Sequence, residues 1–215
     1  MTLQQEARSW VAPTYKTDVE SLPQIDDQAP SSDALELPNA DGRPTIVTFL
    51  RHCGCPFAEK TFLRMRGSAS KHPNVRFIAV SHSDHASTEK WVEALGGPGD
   101  VQVIVDPDRD LFARWGLGVS SFWHVLSPWA LWSVYRLYRD EGIANRPTES
   151  GSRWQTAGSF GMDAKGKVRW GREAMLADEI PDFEEAVRAV EGEQEGEGSK
   201  TEGRGPRDSG VGFGQ

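Results

Sequence analysis

Thr45-Ile46-Val47-Thr48-Phe49-Leu50-Arg51-His52-Cys53-Gly54-Cys55-Pro56-Phe57-Ala58-Glu59-Lys60 decides how the rest of the chain is read. Its first half is apolar, β-branched and aromatic, the composition of a buried strand. The second half turns at Gly54, whose missing Cβ frees the backbone dihedrals. Pro56 suits the first position of a helix, where no N–H is missed. Cys55 then falls at the N-cap. Unpaired amides and the positive helix end lie beside its sulfur there, which stabilises a thiolate and lowers its pKa. Both cysteines of the protein are in this turn.

Downstream, Ala58, Phe62, Met65 and Ala69 give one apolar face to a helix over 56–69, ended by Gly67 and His72-Pro73. Val75–Val80 reads as a second strand. Its polar end, Ser81-His82-Ser83-Asp84-His85, lies where parallel strands deliver functional residues. His82 and His85 read as solvated loop residues, not ligands. Thr88, Trp91, Val92 and Leu95 space a second helix, stopped by Gly96-Gly97-Pro98-Gly99. Val101–Val105 is a third strand. Asp106-Pro107-Asp108 opens a short helix with Leu111, Phe112 and Trp115 inward and Gly116 as its C-cap.

Residues 119–145 break this rhythm. They are apolar almost all round and predict an inserted helical hairpin broken at Ser127-Pro128. The insertion is a lid over a site, a dimer surface or an extra core layer. After a polar loop over 146–156, Ser159–Met162 and Lys167–Trp170 flank Asp163-Ala164-Lys165-Gly166 as a hairpin. Ile180, Phe183, Val187 and Val190 space a last helix from near Pro181. Upstream, residues 1–22 form a polar arm with Trp10 and Tyr15 as anchors. Residues 23–44 are a proline-rich extended arm or short hairpin leading into the first core strand. Residues 191–215, rich in Gly, Glu and Ser, are expected to be disordered. One domain over 23–190 follows. Alternating strands and helices with a closing hairpin imply an α/β fold, a mixed central sheet flanked by helices.

The 215 residues carry a formal net charge of −8, which argues against a nucleic-acid partner bound by a basic surface. No apolar run is long enough to span a membrane, and residues 1–8 do not read as a secretory signal, so a cytoplasmic location is expected. In a reducing compartment, neighbouring cysteines point to redox or metal chemistry. Two cysteines without a regularly spaced histidine pair make no zinc site, so no metal is expected. Eight tryptophans supply a core, an aromatic pocket or an interface.

Cys55 is the candidate nucleophile, able as a thiolate to attack a peroxide or disulfide. Arg51 and His52 are sources of positive charge. His52 either shuttles a proton near neutral pH or hydrogen-bonds a loop carbonyl. Attack on a peroxide gives a sulfenic acid. Cys53 either closes a strained Cys-x-Cys disulfide with Cys55 or is a small buried hydrophobe. If it points into the core, an external thiol such as glutathione completes the cycle. No cofactor is required.

The strand running into Cys-Pro at a helix start, with the later hairpin and helix, resembles the thioredoxin fold. The chain is more closely similar to the peroxiredoxin-like branch related to alkyl hydroperoxide reductases and thiol-specific antioxidants. Gln28-Ala29-Pro30, Asp41-Gly42-Arg43, Phe49-Leu50-Arg51, Val105-Asp106-Pro107-Asp108-Arg109, Trp115-Gly116-Leu117-Gly118 and Gly158-Ser159-Phe160 carry the likeness over about residues 25–190. The resemblance implies a thiol-dependent oxidoreductase with an antioxidant role. Its partners would be a small-molecule substrate, a thiol reductant such as glutathione or thioredoxin, and a second copy in a homodimer. Candidate catalytic residues are Cys55, Cys53 and His52. Candidate substrate contacts are Arg51, Trp123 in the insertion, and Arg153, Trp154 and Thr156 ahead of the hairpin. Some positions depart from the family. Peroxiredoxins place Pro seven residues and Thr or Ser three residues before the reactive Cys; here those positions hold Thr48 and His52. Thioredoxins carry a second Cys where this chain has Ala58, so Cys-Pro-Phe-Ala is similar to monothiol sites. Gln155, Thr156 or Ala157 stands where the fold usually has a cis-proline. These departures leave two alternatives: a non-redox protein that binds or transforms a hydrophobic small molecule, as in a biosynthetic pathway, under the Trp-rich insertion; or a non-catalytic binding module.

Overall fold

The computed structural model describes residues 9–11, 15–16, 18–119, 128–144, 146 and 149–192. Thr45–Phe49 is β1, buried at every residue. It leads into α1 (Pro56–Ala69), and β2 (Arg76–Ser81), α2 (His85–Ala94), β3 (Val101–Val105) and α3 (Asp110–Arg114) follow. Then come α4 (Pro128–Glu141), β4 (Gly158–Met162), β5 (Val168–Glu173) and α5 (Phe183–Glu191). The five strands form one sheet in the order β3-β2-β1-β4-β5. β1 pairs in parallel with β2 and antiparallel with β4. The sheet is therefore mixed, as the alternation of elements predicts. β1 is hydrogen-bonded on both edges and covered on both faces, which accounts for its unbroken apolar run.

Successive β1 residues point to opposite faces. Ile46 packs with Phe62 and Met65 of α1 and with Phe183 and Val187 of α5. Val47 and Phe49 pack with Phe112, Trp115 and Phe160 on the other side. The arm over 23–44 supplies Ala29, Leu35 and Leu37 to that second cluster. It joins the hairpin through Ala29 N–H to Gly166 O at 2.9 Å and Val168 N–H to Asp27 O at 3.0 Å. Upstream, Tyr15 Oη donates to Gln155 Oε1 at 2.7 Å, the anchoring role expected of it.

α1 ends at Ala69 as predicted, with Gly67, read as part of its stop signal, lying inside it. One boundary differs from expectation. α3 begins at Asp110, because the Asp106 carboxylate accepts the amides of Asp110, Leu111 and Phe112 and so caps the helix from outside. α4 lies within the insertion over 119–145. Residues 120–127, with Trp123, lie outside the described residues, as does the tail beyond 192. Of the described α4 side chains, Leu137 faces the core while Trp132, Tyr135 and Tyr138 face outward. Among the described residues no helix is long and apolar enough to cross a membrane.

Candidate active site

The parallel ladder ends where Leu50 N–H donates to Val80 O at 2.9 Å. The chain then turns, and Cys55 N–H returns to His52 O at 3.0 Å. Gly54 N–H donates to His52 Nδ1 at 3.2 Å, so the histidine side chain holds the turn from within. Gly54 does not take a left-handed φ; the turn depends on these two hydrogen bonds and not on glycine's special freedom. Cys55 is the N-cap of α1, with φ −78° and ψ 125° and Pro56 in the first turn. Its carbonyl accepts Glu59 N–H at 3.2 Å, while its sulfur makes no capping hydrogen bond. Cys55 is 6% exposed.

Cys53 points elsewhere. Its sulfur lies 3.6 Å from Ser81 Oγ and 3.8 Å from Thr88 Oγ1, between β2 and α2. It is 9% exposed and, like Cys55, belongs to the apolar cluster of Phe62 and Trp91. Burial pushes its thiol pKa up. Both thiols are free.

His52 is buried. Desolvation first, then the guanidinium charges of Arg51 and Arg153, hold its pKa well below the ordinary value. The imidazole is therefore neutral at physiological pH. This corrects the expectation that His52 adds positive charge or carries a proton near neutrality. Arg51, 7% exposed, donates from Nη2 to Arg153 O at 3.0 Å. Its Nε and Nη1 have no hydrogen-bond partner among the described residues. His82 also departs from expectation. It is buried, not solvated, with its pKa lowered to about 3 by burial and then by Arg109. Its ring stands edge-on to Phe112 at 5.3 Å, and Nε2 accepts Ser152 N–H at 3.2 Å. Gly151, at φ +89°, lies against both histidines; a Cβ there would come within 3.0 Å of His52 Cβ and 3.1 Å of His82 Nε2. His85 is exposed at the start of α2.

Arg146 is a contributor that sequence spacing does not reveal. Its N–H donates to Gly54 O at 3.0 Å. Its guanidinium makes a two-point contact with Glu59 at 2.7 and 3.3 Å. Glu59, in the first turn of α1, is buried and needs such a partner. Nothing local announces it, because the two residues are 87 positions apart.

The remaining candidates are engaged by the protein itself. Arg153 stacks over the Trp10 ring at 4.9 Å and donates from Nε to Ser9 Oγ at 3.0 Å. Trp154 Nε1 donates to Trp10 O at 2.7 Å. Thr156 Oγ1 donates to Gly118 O at 3.0 Å. The structure thus gathers Arg51, His52, Cys53 and Cys55 in one turn, with Arg153 beside them through its backbone. Trp154 and Thr156 make structural contacts with other segments. Trp123 lies outside the described residues.

Leu50 and Arg51 on one arm of the turn, and Phe57 and Ala58 on the other, open onto a cleft of about 720 Å³. Trp170 and Ile180 are among its apolar walls. Thr48 and Ser159 line it as well, with Ser159 Oγ donating to Thr48 Oγ1 at 3.1 Å. Its size and mixed lining suit a small organic molecule. Neither cysteine is among the residues that line it. Among the described residues no cluster of His, Cys, Asp and Glu is placed to hold a metal ion.

The family model for AhpC/TSA antioxidant enzyme matches residues 63–174. The matched segment begins after the cysteine turn and covers the scaffold from α1 to β5. No curated protein matches the chain. Among solved structures, a peroxiredoxin-like protein from Aquifex aeolicus superposes with a TM-score of 0.53 at 15% identity, over 81% of this chain and 90% of that one. Thiol peroxidase from Chromobacterium violaceum gives 0.53 at 17% identity, over 84% and 91%. A cysteine-to-serine mutant of peroxiredoxin 6 from Arenicola marina gives 0.50 at 18%, over 81% and 74%. At these identities the likeness is one of fold, and the fold is thioredoxin-like.

Proposed function

The chain belongs to the AhpC/TSA antioxidant-enzyme family, and from that premise we propose that it is a thiol-dependent peroxidase whose attacking sulfur is that of Cys55. The observation that carries this reading is the position of Cys55. It caps α1 where the central strand ends, with Pro56 opening the helix. In the reaction the Cys55 thiol gives up its proton and its sulfur attacks the terminal oxygen of a hydroperoxide. The S–O bond forms as the O–O bond breaks. The alcohol, or water, leaves with the proton, and a sulfenic acid remains. An external thiol then attacks that sulfur, expelling water and forming a mixed disulfide. A second thiol releases Cys55 and carries away the disulfide. The engagement of the Cys53 sulfur by Ser81 and Thr88 and its raised pKa favour an outside reductant over internal closure. Glutathione or a thioredoxin-like protein fits that role. His52 acts as a positioning residue that shapes the turn by accepting the Gly54 amide.

Intact-mass measurement after a short hydrogen peroxide pulse tests this. The wild type and Cys53→Ser should gain about 16 Da and return to the starting mass with glutathione, while Cys55→Ser should not react. Oxidation surviving in Cys55→Ser and lost in Cys53→Ser would overturn the assignment. The cleft beside the turn favours a second reading, in which a small molecule carrying an electrophilic alkene or carbonyl binds there and reaches Cys55, which does not itself line the cleft, through a local movement of the turn. In that case Cys55→Ser retains the bound molecule unconverted, and peroxide leaves the wild-type mass unchanged.

A further inference from the structure

Residues 9–11 are bound along the loop that covers the cysteine turn. Three consecutive carbonyls are each engaged. Ser9 O accepts Arg153 N–H at 2.9 Å, Trp10 O accepts Trp154 Nε1–H at 2.7 Å, and Val11 O accepts Ser152 Oγ–H at 3.2 Å. Side chains add to this. Trp10 meets Trp154 edge-on at 6.2 Å between ring centroids, and the Arg153 guanidinium lies over Trp10. The segment, helical at Ser9, turning at Trp10 and bending at Val11, is thereby held through its backbone carbonyls and fixed by one aromatic anchor.

The receiving loop leads straight to the site. Arg153 O holds Arg51 Nη2, Ser152 N–H is held by His82, and Gly151 packs on His52. With Cys53 and Cys55 only 9% and 6% exposed, displacing a segment packed on the turn raises access to their sulfurs. The loop over 150–154 packs on the turn at Arg51 and His52, and residues 9–11 bind that loop at Ser152, Arg153 and Trp154.

We propose that residues 9–11 are a cis-acting strap that holds the 152–154 loop down on the cysteine turn and slows reaction of Cys55 until it lifts. The regulatory consequence rests on the reading of Cys55 as the reacting sulfur; the latch itself does not. The strap supplies three backbone contacts and an indole, so an added peptide of residues 7–12 competes for the same loop.

The test uses the full-length chain and its Trp10→Ala variant. Iodoacetamide labelling of Cys55, followed by peptide mass mapping, should run about tenfold faster in Trp10→Ala, since an opening equilibrium scales with the contacts that oppose it. The peptide of residues 7–12, added in excess, should return the variant to the slow rate. Hydrogen exchange at the Arg153 amide, which donates to Ser9, should accelerate in step. Trp154→Ala, which removes the receiving ring, should behave as Trp10→Ala does. Unchanged labelling and Arg153 exchange in both variants, with far-UV circular dichroism unaltered, would overturn the strap. Exchange and peptide binding need no peroxide. A latch that responds in a protein inert to peroxide would therefore sink the peroxidase reading alone, and peroxide turnover with an unresponsive latch would sink the strap alone.

Discussion

His82 and His52 are neutral in the folded protein, His82 with a pKa of about 3 and His52 well below its ordinary value. In the unfolded chain both return to about 6.5. Between the two values the unfolded state binds more protons. Their stabilisation is thus complete above pH 6.5 and is lost as pH falls toward the folded value. For His82 the loss between pH 7.5 and pH 5 is about 2 kcal/mol. Urea midpoints at these two pH values, where carboxylates of ordinary pKa stay ionised, read it out. His82→Phe should remove that share of the pH dependence whatever its effect at pH 7.5, and an unaltered pH dependence in the variant would contradict the burial of this ring. The cysteine turn is legible in the sequence because what makes it is local: a buried strand, two cysteines and a proline in helix-opening position. Its surroundings are not. His82 follows a polar strand end and reads as solvated, but Ser152, seventy positions on, returns to cover it. The charge expected of His52 is suppressed in part by Arg153, which the fold brings to the same turn. Glu59 finds Arg146 in the same long-range way.

Elements fare better than their surroundings, because periodicity is a local property. α1 is predicted over 56–69 and found there, and β3 is predicted over 101–105 and found there. The differences arise where punctuation is ambiguous. Gly67 reads as a stop but lies within α1, where a Cβ would meet nothing within 4 Å. Gly116 follows the short α3 at φ +72°, and a Cβ there would stand 2.6 Å from Leu22 N and 2.8 Å from Leu22 Cα. One residue type thus carries opposite predictions. Gly67→Ala should stabilise the protein by about 0.5–1 kcal/mol, because alanine loses less entropy on entering a helix. Gly116→Ala should cost about 2–3 kcal/mol, from the left-handed dihedral and the displaced backbone of residues 21–22 together. Thermal unfolding of the two variants checks both signs; a destabilised Gly67→Ala would mean that α1 is interrupted there after all. The insertion over 119–145 is apolar almost all round in sequence and so predicts no single face. Its described helix does have one: Leu137 turns inward, while Trp132 and Tyr135, 54% and 51% exposed, turn out.

For the molecule as a whole, the question is whether two hydrophobic clusters make one cooperative unit. They lie on opposite faces of one sheet and share its backbone. Neighbouring residues of β1 serve them separately: Ile46 packs with α1 and α5, Val47 with the aromatic cluster around Trp115, and both are fully buried. The arm over 23–44 adds Leu35 and Leu37 to the second cluster, so it belongs to the domain and is more than a leader into it. Neither cluster can be lost without exposing the other side of the same strands, so the two should unfold together. Ile46→Val should lower stability by about 1 kcal/mol and Val47→Ala by about 2 kcal/mol. In each variant near-UV and far-UV circular dichroism should shift by the same amount, with coincident transitions. The tryptophans make this discriminating: Trp91 reports on the first cluster and Trp115 on the second. If Val47→Ala moved the near-UV transition ahead of the far-UV one, the aromatic face would be opening alone. Residues 23–190 would then be two folding units that share a sheet, and the loop over the cysteine turn would rest on the weaker one.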